Sequence, residues 1–342
     1  MSLDYARACK QRWDGIAKPL NSLGKLEDLI CRLAAIQQTA DVRIGRRVCI
    51  VACADNGVVA EGVTQAPVSV TALQSASIAR GQGSVNALAK AAGCDVVAVD
   101  VGINTDLDLP GLRRQKAARG TMNITQGPAM TREQMARTLE VGISLAGEMK
   151  SKGYDIVCIG EMGIGNTTTS SAVASVLLGV APERVTGRGA GLSDAGLRRK
   201  LDAIHRAIQV NQPDAHDPRD VLRKLGGFDM AAMAGICLGG AKHRVPIVID
   251  GMISAVSALL AARMNPDVLA FLLPSHMSRE PSTALIMDAL GLDPIIRADM
   301  ALGEGTGAVA LLPLLDLALA VYHQNSTFAQ AQIAQYVPQD GA

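Results

Sequence analysis

Near the C-terminal end a carboxylate stands in a run of glycines, Leu302-Gly303-Glu304-Gly305-Thr306-Gly307-Ala308, just before an apolar stretch that predicts a buried helix. Glycine neighbours let a ligand approach Glu304 closely and let its backbone take conformations closed to bulkier residues, which places the carboxylate for chemistry. The same carboxylate could simply complement the positive end of the following helix dipole, an effect of about 0.3–1 kcal/mol. On this segment alone both readings stand.

A second candidate spans residues 154–179, where YDIVCIG predicts a strand and Glu161-Met162-Gly163-Ile164-Gly165-Asn166-Thr167 a turn opening a Thr- and Ser-rich helix. Backbone N–H groups and hydroxyls at a positive helix end suit a phosphate. No lysine follows the last glycine, so this is not a P-loop. The plainer alternative is an ordinary turn capped by Asn166 or Thr167. A third segment, Thr186-Gly187-Arg188-Gly189-Ala190-Gly191-Leu192-Ser193, precedes a helix with the apolar face Leu197, Leu201, Ile204 and Ile208. Ser193 is a good N-cap, and Lys200 lies off the apolar face, either solvated or offering a compact charge to a phosphate. Of the histidines only His276, at a strand end, is placed to bind or orient a ligand. There is no HExxH, no HxxxH and no GxSxG, which removes zinc hydrolysis and serine catalysis from consideration.

These segments need a scaffold, and five short apolar runs predict one: Val48 to Ala54, Asp95 to Val101, Tyr154 to Gly160, Val245 to Asp250 and Val268 to Pro274. They lack clean polar alternation, as strands buried on both faces of a parallel sheet do. Helical stretches separate them, at Ser69 to Arg80, Ser84 to Ala92, Thr131 to Lys152, Thr167 to Leu178 and Ser193 to Gln209, so the class is α/β. Polar or glycine-rich turns follow the strands, including Asp55-Asn56-Gly57, Gly160 to Gly163, Asp250-Gly251 and Ser275-His276. Open parallel sheets bind ligands beyond the carboxyl ends of their strands. Leu23, Leu26, Leu29, Ile30, Leu33 and Ile36 give a helical pattern in the first 45 residues. The segment from about Ala308 is helical again. The two ends are expected to pack as a small helical unit, residues 1–45 with about 308–342, beside a large α/β unit of 46–307.

The chain has 342 residues, 49% hydrophobic and 19% charged, with 33 Lys plus Arg against 32 Asp plus Glu. A near-zero net charge without charge blocks argues against nucleic acid or an anionic membrane as partner. No uncharged apolar run reaches membrane-spanning length. Aromatic residues are only 2% of the chain, so a flat ring would have to be held by Met, Leu and peptide planes. Seven scattered cysteines, mostly in apolar runs, read as buried thiols of a cytoplasmic protein, and the CxxxC pair Cys49 and Cys53 has no second pair to complete a zinc site.

Taken together, KPLNSLGKLE at 18–27, CADNGV at 53, GEMGIGNTT at 160, NQP at 211, KLGGFDM at 224, IDGMISA at 249 and LGEGTGA at 302 resemble the nicotinate-nucleotide:dimethylbenzimidazole phosphoribosyltransferases of cobalamin assembly. The resemblance covers about nine-tenths of the chain, in order. It implies a Rossmann-like, mostly parallel sheet flanked by helices, a helical domain from both ends, a homodimer, and no metal or redox cofactor. The implied reaction moves 5-phosphoribosyl from nicotinate mononucleotide to 5,6-dimethylbenzimidazole with inversion. Glu304 matches the family's general base. Glu161 matches a second acidic position that orients substrate or balances positive charge on the sugar. Gly163, Asn166, Thr167, Gly189 and Lys200 fall where the family holds the ribose phosphate. Gln74 falls on the base-pocket helix, with Met162 and Leu302 as apolar walls. Asp55 and Ser278, at strand ends, complete the implied substrate-binding set. Departures at Glu280-Pro281-Ser282-Thr283 and at Ala66 bear on which base is accepted. Another acceptor (a purine, another benzimidazole or a phenol) and a catalytically silent nucleotide-binding protein remain alternatives. A dehydrogenase does not, because ADNGVVAEG follows the first strand and no GxGxxG opens the next helix.

Overall fold

The protein is described by a computed structural model that covers residues 3–105, 108 and 110–337. Residues 1–2 and 338–342, the extremities of the two terminal segments, lie outside the described residues. Six strands form one sheet: β1 (Arg47–Ala54), β2 (Asp95–Gly102), β3 (Arg113–Arg114), β4 (Ile156–Met162), β5 (Ile247–Ile249) and β6 (Leu272–Pro274). All pairings are parallel and the order is β3-β2-β1-β4-β5-β6. That order reverses direction between β1 and β4, the switch point at which open α/β sheets form a ligand crevice.

The near-continuous apolar character of the strands has a direct cause, since each face of the sheet supports its own core. Val48, Ile50, Ala52, Val99, Val101, Val157, Ile159, Ile247, Ile249 and Leu272 point to one side, into helices Arg132–Ser151, Asn166–Leu178, Phe228–His243 and Met252–Met264. Cys49, Val51, Cys53, Ala98, Ile156, Cys158, Val248 and Leu273 point to the other. There they meet helices Lys25–Gln37, Ser84–Ala91 and Thr306–Gln324. Alternation is present after all, but both sets of alternating side chains are apolar.

Two sequence expectations are corrected, and one strand is added. The run Val268 to Pro274 is not all strand: Pro266–Phe271 form a 3-10 helix, started by Pro266 and by Asn265 accepting from Asp267 N, and only Leu272–Pro274 pair with β5. The two-residue β3 carries no periodicity and was not expected. Asn166–Leu178 is capped by neither Asn166 nor Thr167, because Gly165 holds the N-cap position at φ 92° and frees both side chains. Helix Phe228–His243 is buried all round, so it has no polar face to reveal it. It crosses Arg132–Ser151 at glycine contacts: a Cβ on Gly235 would lie 2.2 Å from the Leu139 carbonyl oxygen, and one on Gly142 would lie 2.1 Å from that of Ala232.

The two chain ends meet. Trp13 packs on Tyr322 with ring centroids 4.8 Å apart, and Ala17 N donates to Ser326 O at 2.9 Å. Among the described residues Thr306–Gln324 is the one helix long and apolar enough to cross a membrane. Its Ala308, Val309, Leu311, Leu312 and Leu315 are fully buried against the sheet and helix Lys25–Gln37, the placement of a core helix. All seven cysteines are free, six of them buried.

The crossing of the two central helices yields a stability prediction. Gly235→Ala forces backbone apart and is expected to cost about 1–3 kcal/mol, read as a lower urea midpoint at unchanged slope. An unchanged midpoint would show that the helices can part freely.

Candidate active site

A cavity of about 230 Å³ opens beyond the carboxyl ends of β4 and β5. Its walls include Glu161, Met162, Gly163, Asn166, Thr167, Gly189, Ser278, Leu302 and Glu304, so nine of the candidate residues converge on one space. Gln74 and Lys200 do not border it but bond to residues that do. Asp55 stands apart: its carboxylate accepts from Asn104 N at 2.7 Å and holds the loop after β2.

Glu304 sits in an unusual turn. Gly303, Glu304 and Gly305 have φ of 91°, 61° and 90°, three successive residues in the left-handed region. Glycine enters it freely, whereas a side-chain-bearing residue held there costs of order 1–3 kcal/mol and persists only where its surroundings over-determine it. Here they do. Asp250, at the end of β5, accepts from Gly305 N at 3.1 Å, Gly307 N at 2.7 Å and Ala308 N at 3.2 Å, capping helix Thr306–Gln324 from outside its own sequence. The carboxylate of Glu304 is fixed separately, Oε1 by Gln74 Nε2 at 2.8 Å and Oε2 by the backbone N–H of Val85 at 3.0 Å, in the first turn of helix Ser84–Ala91. Close approach is built in at two glycines. A Cβ on Gly160 would stand 2.4 Å from the Glu304 backbone, and one on Gly307 would stand 1.9 Å from His276 Nδ1.

His276 borders the cavity beside this turn, 3% exposed, with Nδ1 3.2 Å from Ser275 Oγ and 3.7 Å from Asp250 Oδ1. Because Ser275 Oγ donates to Ile249 O at 2.7 Å, it is left to accept from the imidazole. Burial raises the Asp250 carboxyl above its ordinary range, and His276, then the backbone N–H groups of Gly307, Ala308 and Gly251, oppose that rise.

The opposite end of the cavity is basic. Lys200 is wholly buried, so the solvated reading of that lysine does not hold. Its Nζ donates to Thr167 Oγ1 at 2.9 Å and to Gly187 O at 3.1 Å, and desolvation pushes its pKa down to about 8, against the nearby Glu280. Gly189, at φ 54°, brings its backbone beside both Thr167 and Lys200. Helix Asn166–Leu178 points its N-terminus here, and Arg188 contributes to the wall. Backbone N–H groups, a hydroxyl and a compact cation together make an anion site.

Between the two ends sits Glu161, the penultimate residue of β4. Asn166 Nδ2 donates to Glu161 Oε2 and also, at 3.0 Å, to Asp229 Oδ2. Burial, then the like charge of Asp229, raise Glu161 to about 8, against the Asn166 bond. Asp229 is itself raised to about 6, chiefly by burial. Asp229 and Asp250 were not assigned roles in the sequence, although both lie in its informative runs KLGGFDM and IDGMISA. An acidic residue within two positions of a glycine at an element boundary, after Gly227 for Asp229 and before Gly251 for Asp250, is the available signal. Glu280 was noted only as a departure, yet it borders the cavity with a buried, unpartnered Oε2 over Gly187.

The cavity therefore suits a ligand with a phosphate at one end and a positively charged or N–H-bearing ring at the other, with Met162 and Leu302 as apolar wall. Among the described residues no three His, Cys, Asp or Glu groups are arranged to hold a metal ion. A doubly wound parallel sheet with an anion-suited loop and a rigid carboxylate beyond its strand ends is the architecture of an α/β enzyme that takes a phosphorylated ligand. The family model described as phosphoribosyltransferase (DBI_PRT) matches residues 1–333, and the chain belongs to that family and is a phosphoribosyltransferase. The nicotinate-nucleotide–dimethylbenzimidazole phosphoribosyltransferase of Acetivibrio thermocellus is 48% identical over 330 residues, 96% of this chain and 94% of that protein. The protein of the same name from Ruminiclostridium cellulolyticum is 44% identical over 338 residues, 99% of this chain and 96% of its own length. The crystal structure of CobT from Thermus thermophilus superposes with a TM-score of 0.92 at 40% identity, covering 97% of this chain and 100% of that one.

The raised acids make stability depend on pH. Glu161 and Asp229 bind protons in the folded state at pH values where the unfolded chain has released them, so the empty protein loses stability as pH rises from about 4.5 to about 8. Urea midpoints are expected to fall across that window, and Glu161→Gln to flatten the slope; equal slopes for the two proteins would contradict the assigned cause.

Proposed function

We propose that the protein transfers 5-phosphoribosyl from nicotinate mononucleotide to 5,6-dimethylbenzimidazole, giving nicotinate and α-ribazole 5′-phosphate with inversion at the anomeric carbon. The observation that carries the reading is the polarity of the cavity, with Lys200, Thr167 and Gly189 at one end and the rigidly held Glu304 at the other. The names of the relatives support both substrates. The donor's phosphate takes the basic end, where helix Asn166–Leu178 begins, and its ring lies beside Glu161 and Met162.

In the donor the pyridine nitrogen is quaternary, so nicotinate departs as a neutral ring nitrogen and needs no general acid. The incoming benzimidazole must lose its N–H proton as the new bond forms, and Glu304 accepts it. Gln74 and Val85 N hold that carboxylate in one orientation, so no reorganisation is needed at the moment of transfer. Single displacement places nucleophile and leaving group on opposite faces of the sugar, hence inversion. Glu161 orients the donor and balances positive charge on the sugar. Leu302 is 57% exposed, which leaves the acceptor side of the cavity open to other benzimidazoles, purines or phenols. The same reading has a cytoplasmic homodimer, supported by the free, mostly buried thiols and by exposed Val68 and Leu73 at the helix that carries Gln74. It assigns the chemistry to residues 46–307 and a supporting role to the helices of both ends.

Purified protein given nicotinate mononucleotide and dimethylbenzimidazole is expected to release nicotinate and ribazole phosphate in equal amounts, followed by chromatography and mass spectrometry. Neither product appearing would refute the assignment. Glu304→Gln is expected to keep nucleotide binding while turnover falls by about 10²–10⁴-fold. Undiminished turnover in that variant would remove Glu304 from the role of base.

A further inference from the structure

Two buried carboxyl groups in this site share a single amide. Asn166 has two N–H donors, and they go to Glu161 Oε2 and Asp229 Oδ2. Glu161 is 8% exposed and Asp229 not at all, and the structure pairs neither with a lysine or arginine among the described residues. The groups facing Glu161 are Asp229 from helix Phe228–His243, Asp250 from the end of β5, Glu304 from the turn before Thr306–Gln324, and the Cys53 thiol from β1. Three of these are acids, and the basic end of the cavity turns Lys200 toward Thr167 and Gly187 instead. Asp229 Oδ1 also accepts from Met230 N at 2.9 Å and is faced by the Asn56 amide, but neither neighbour brings a positive charge, and two negative charges buried side by side without a cation are disfavoured, a cost that a single shared proton removes.

From this arrangement we infer that Glu161, Asn166 and Asp229 form a proton-holding site in the empty enzyme, which gives up its proton to solvent when the positively charged ring of the nucleotide enters. The inference rests on the donor assigned above. It makes Asp229 a positioning residue that acts through Asn166 and Glu161 and never touches substrate. The balance is simple: protonated pair plus cationic nucleotide gives the ionised pair, bound nucleotide and one free proton. Once the neutral nicotinate ring has left and Glu304 has taken the acceptor's proton, no cation remains in the cavity. The pair then takes a proton back from solvent and the site is reset. The raised affinity of Glu161 for its proton accords with this geometry.

Titration calorimetry of the full-length enzyme near pH 7, repeated in buffers of different ionisation enthalpy, counts the protons exchanged. Ribose 5-phosphate is the reference ligand, because it brings the same phosphate to Lys200 without a charged ring. Nicotinate mononucleotide is expected to release more protons than ribose 5-phosphate, by up to about one per site, since only the former displaces the shared proton. In Asp229→Asn the like charge is gone, Glu161 holds its proton less tightly although it stays buried, and the difference should shrink while the nucleotide still binds. Equal proton counts for the two ligands in the wild type overturn the inference without any variant. So does a difference that Asp229→Asn leaves intact. A nucleotide that gives no binding heat and no turnover instead removes the donor assignment, and this inference falls with it.

Discussion

The grip of Asp250 on the backbone of Gly305, Gly307 and Ala308 is the interaction on which the rest of the site depends. A left-handed turn of three residues, one of them a glutamate, is not a conformation a chain settles into unaided. Asp250 sits at the end of β5, so the sheet itself holds the turn in place, and the cost of the strained backbone is offset by capping a 19-residue helix. Gly160 on β4 then allows the turn to lie directly against the sheet. The sheet thus fixes the backbone of Glu304, while helices Ser69–Ala79 and Ser84–Ala91, far from it in the chain, fix its carboxylate through Gln74 and Val85 N.

That rigidity matters because charge in the cavity is segregated rather than paired. Arg188, Glu280 and the N-terminus of helix Asn166–Leu178 line one end with Lys200 buried behind Thr167, Asp250 and Glu304 line the other, and Glu161 lies between them with Asp229 behind. A ligand that is itself dipolar, with a phosphate and a cationic ring, completes both halves at once. Either half bound alone would leave the other uncompensated in a place where desolvation is already moving the affinities of Lys200 and Glu161 for their protons in opposite senses.

Much of this was legible from residues alone, for identifiable reasons. The four central and edge runs around Val48, Asp95, Tyr154 and Val245 are apolar on both alternating faces, and the two cores show why. Glu304 stood out because glycines rarely flank a glutamate unless its backbone or its approach demands them. Lys200 was noticed from its distance to the glycine loop, but its burial was not, since a helix pattern shows which face is apolar and not whether a second loop covers the other. Helix Phe228–His243 lacked a polar face, and Pro266–Phe271 carried a strand-like composition into a 3-10 turn. Asp229 and Asp250 were invisible as functional groups because their partners, Asn166 and the Glu304 turn, lie 63 and about 55 positions away in sequence, and only the parallel topology brings them together.

The scarcity of aromatic side chains now acquires a physical meaning. With Met162 and Leu302 as walls, the cavity offers a flat ring little stacking energy, so dispersion alone discriminates poorly between one ring and another. In the proposed reaction placement comes from the polar groups: the phosphate near Lys200, the cationic ring against the ionisable pair, the N–H of the acceptor at Glu304. Two of those three contacts act on atoms that change charge during transfer, and the interaction at Glu304 strengthens as the acceptor gives up its proton. A site built this way spends little of its binding energy on the ground state of the acceptor and realises more of it in the transition state, which is the condition for a faster chemical step rather than merely a tighter complex.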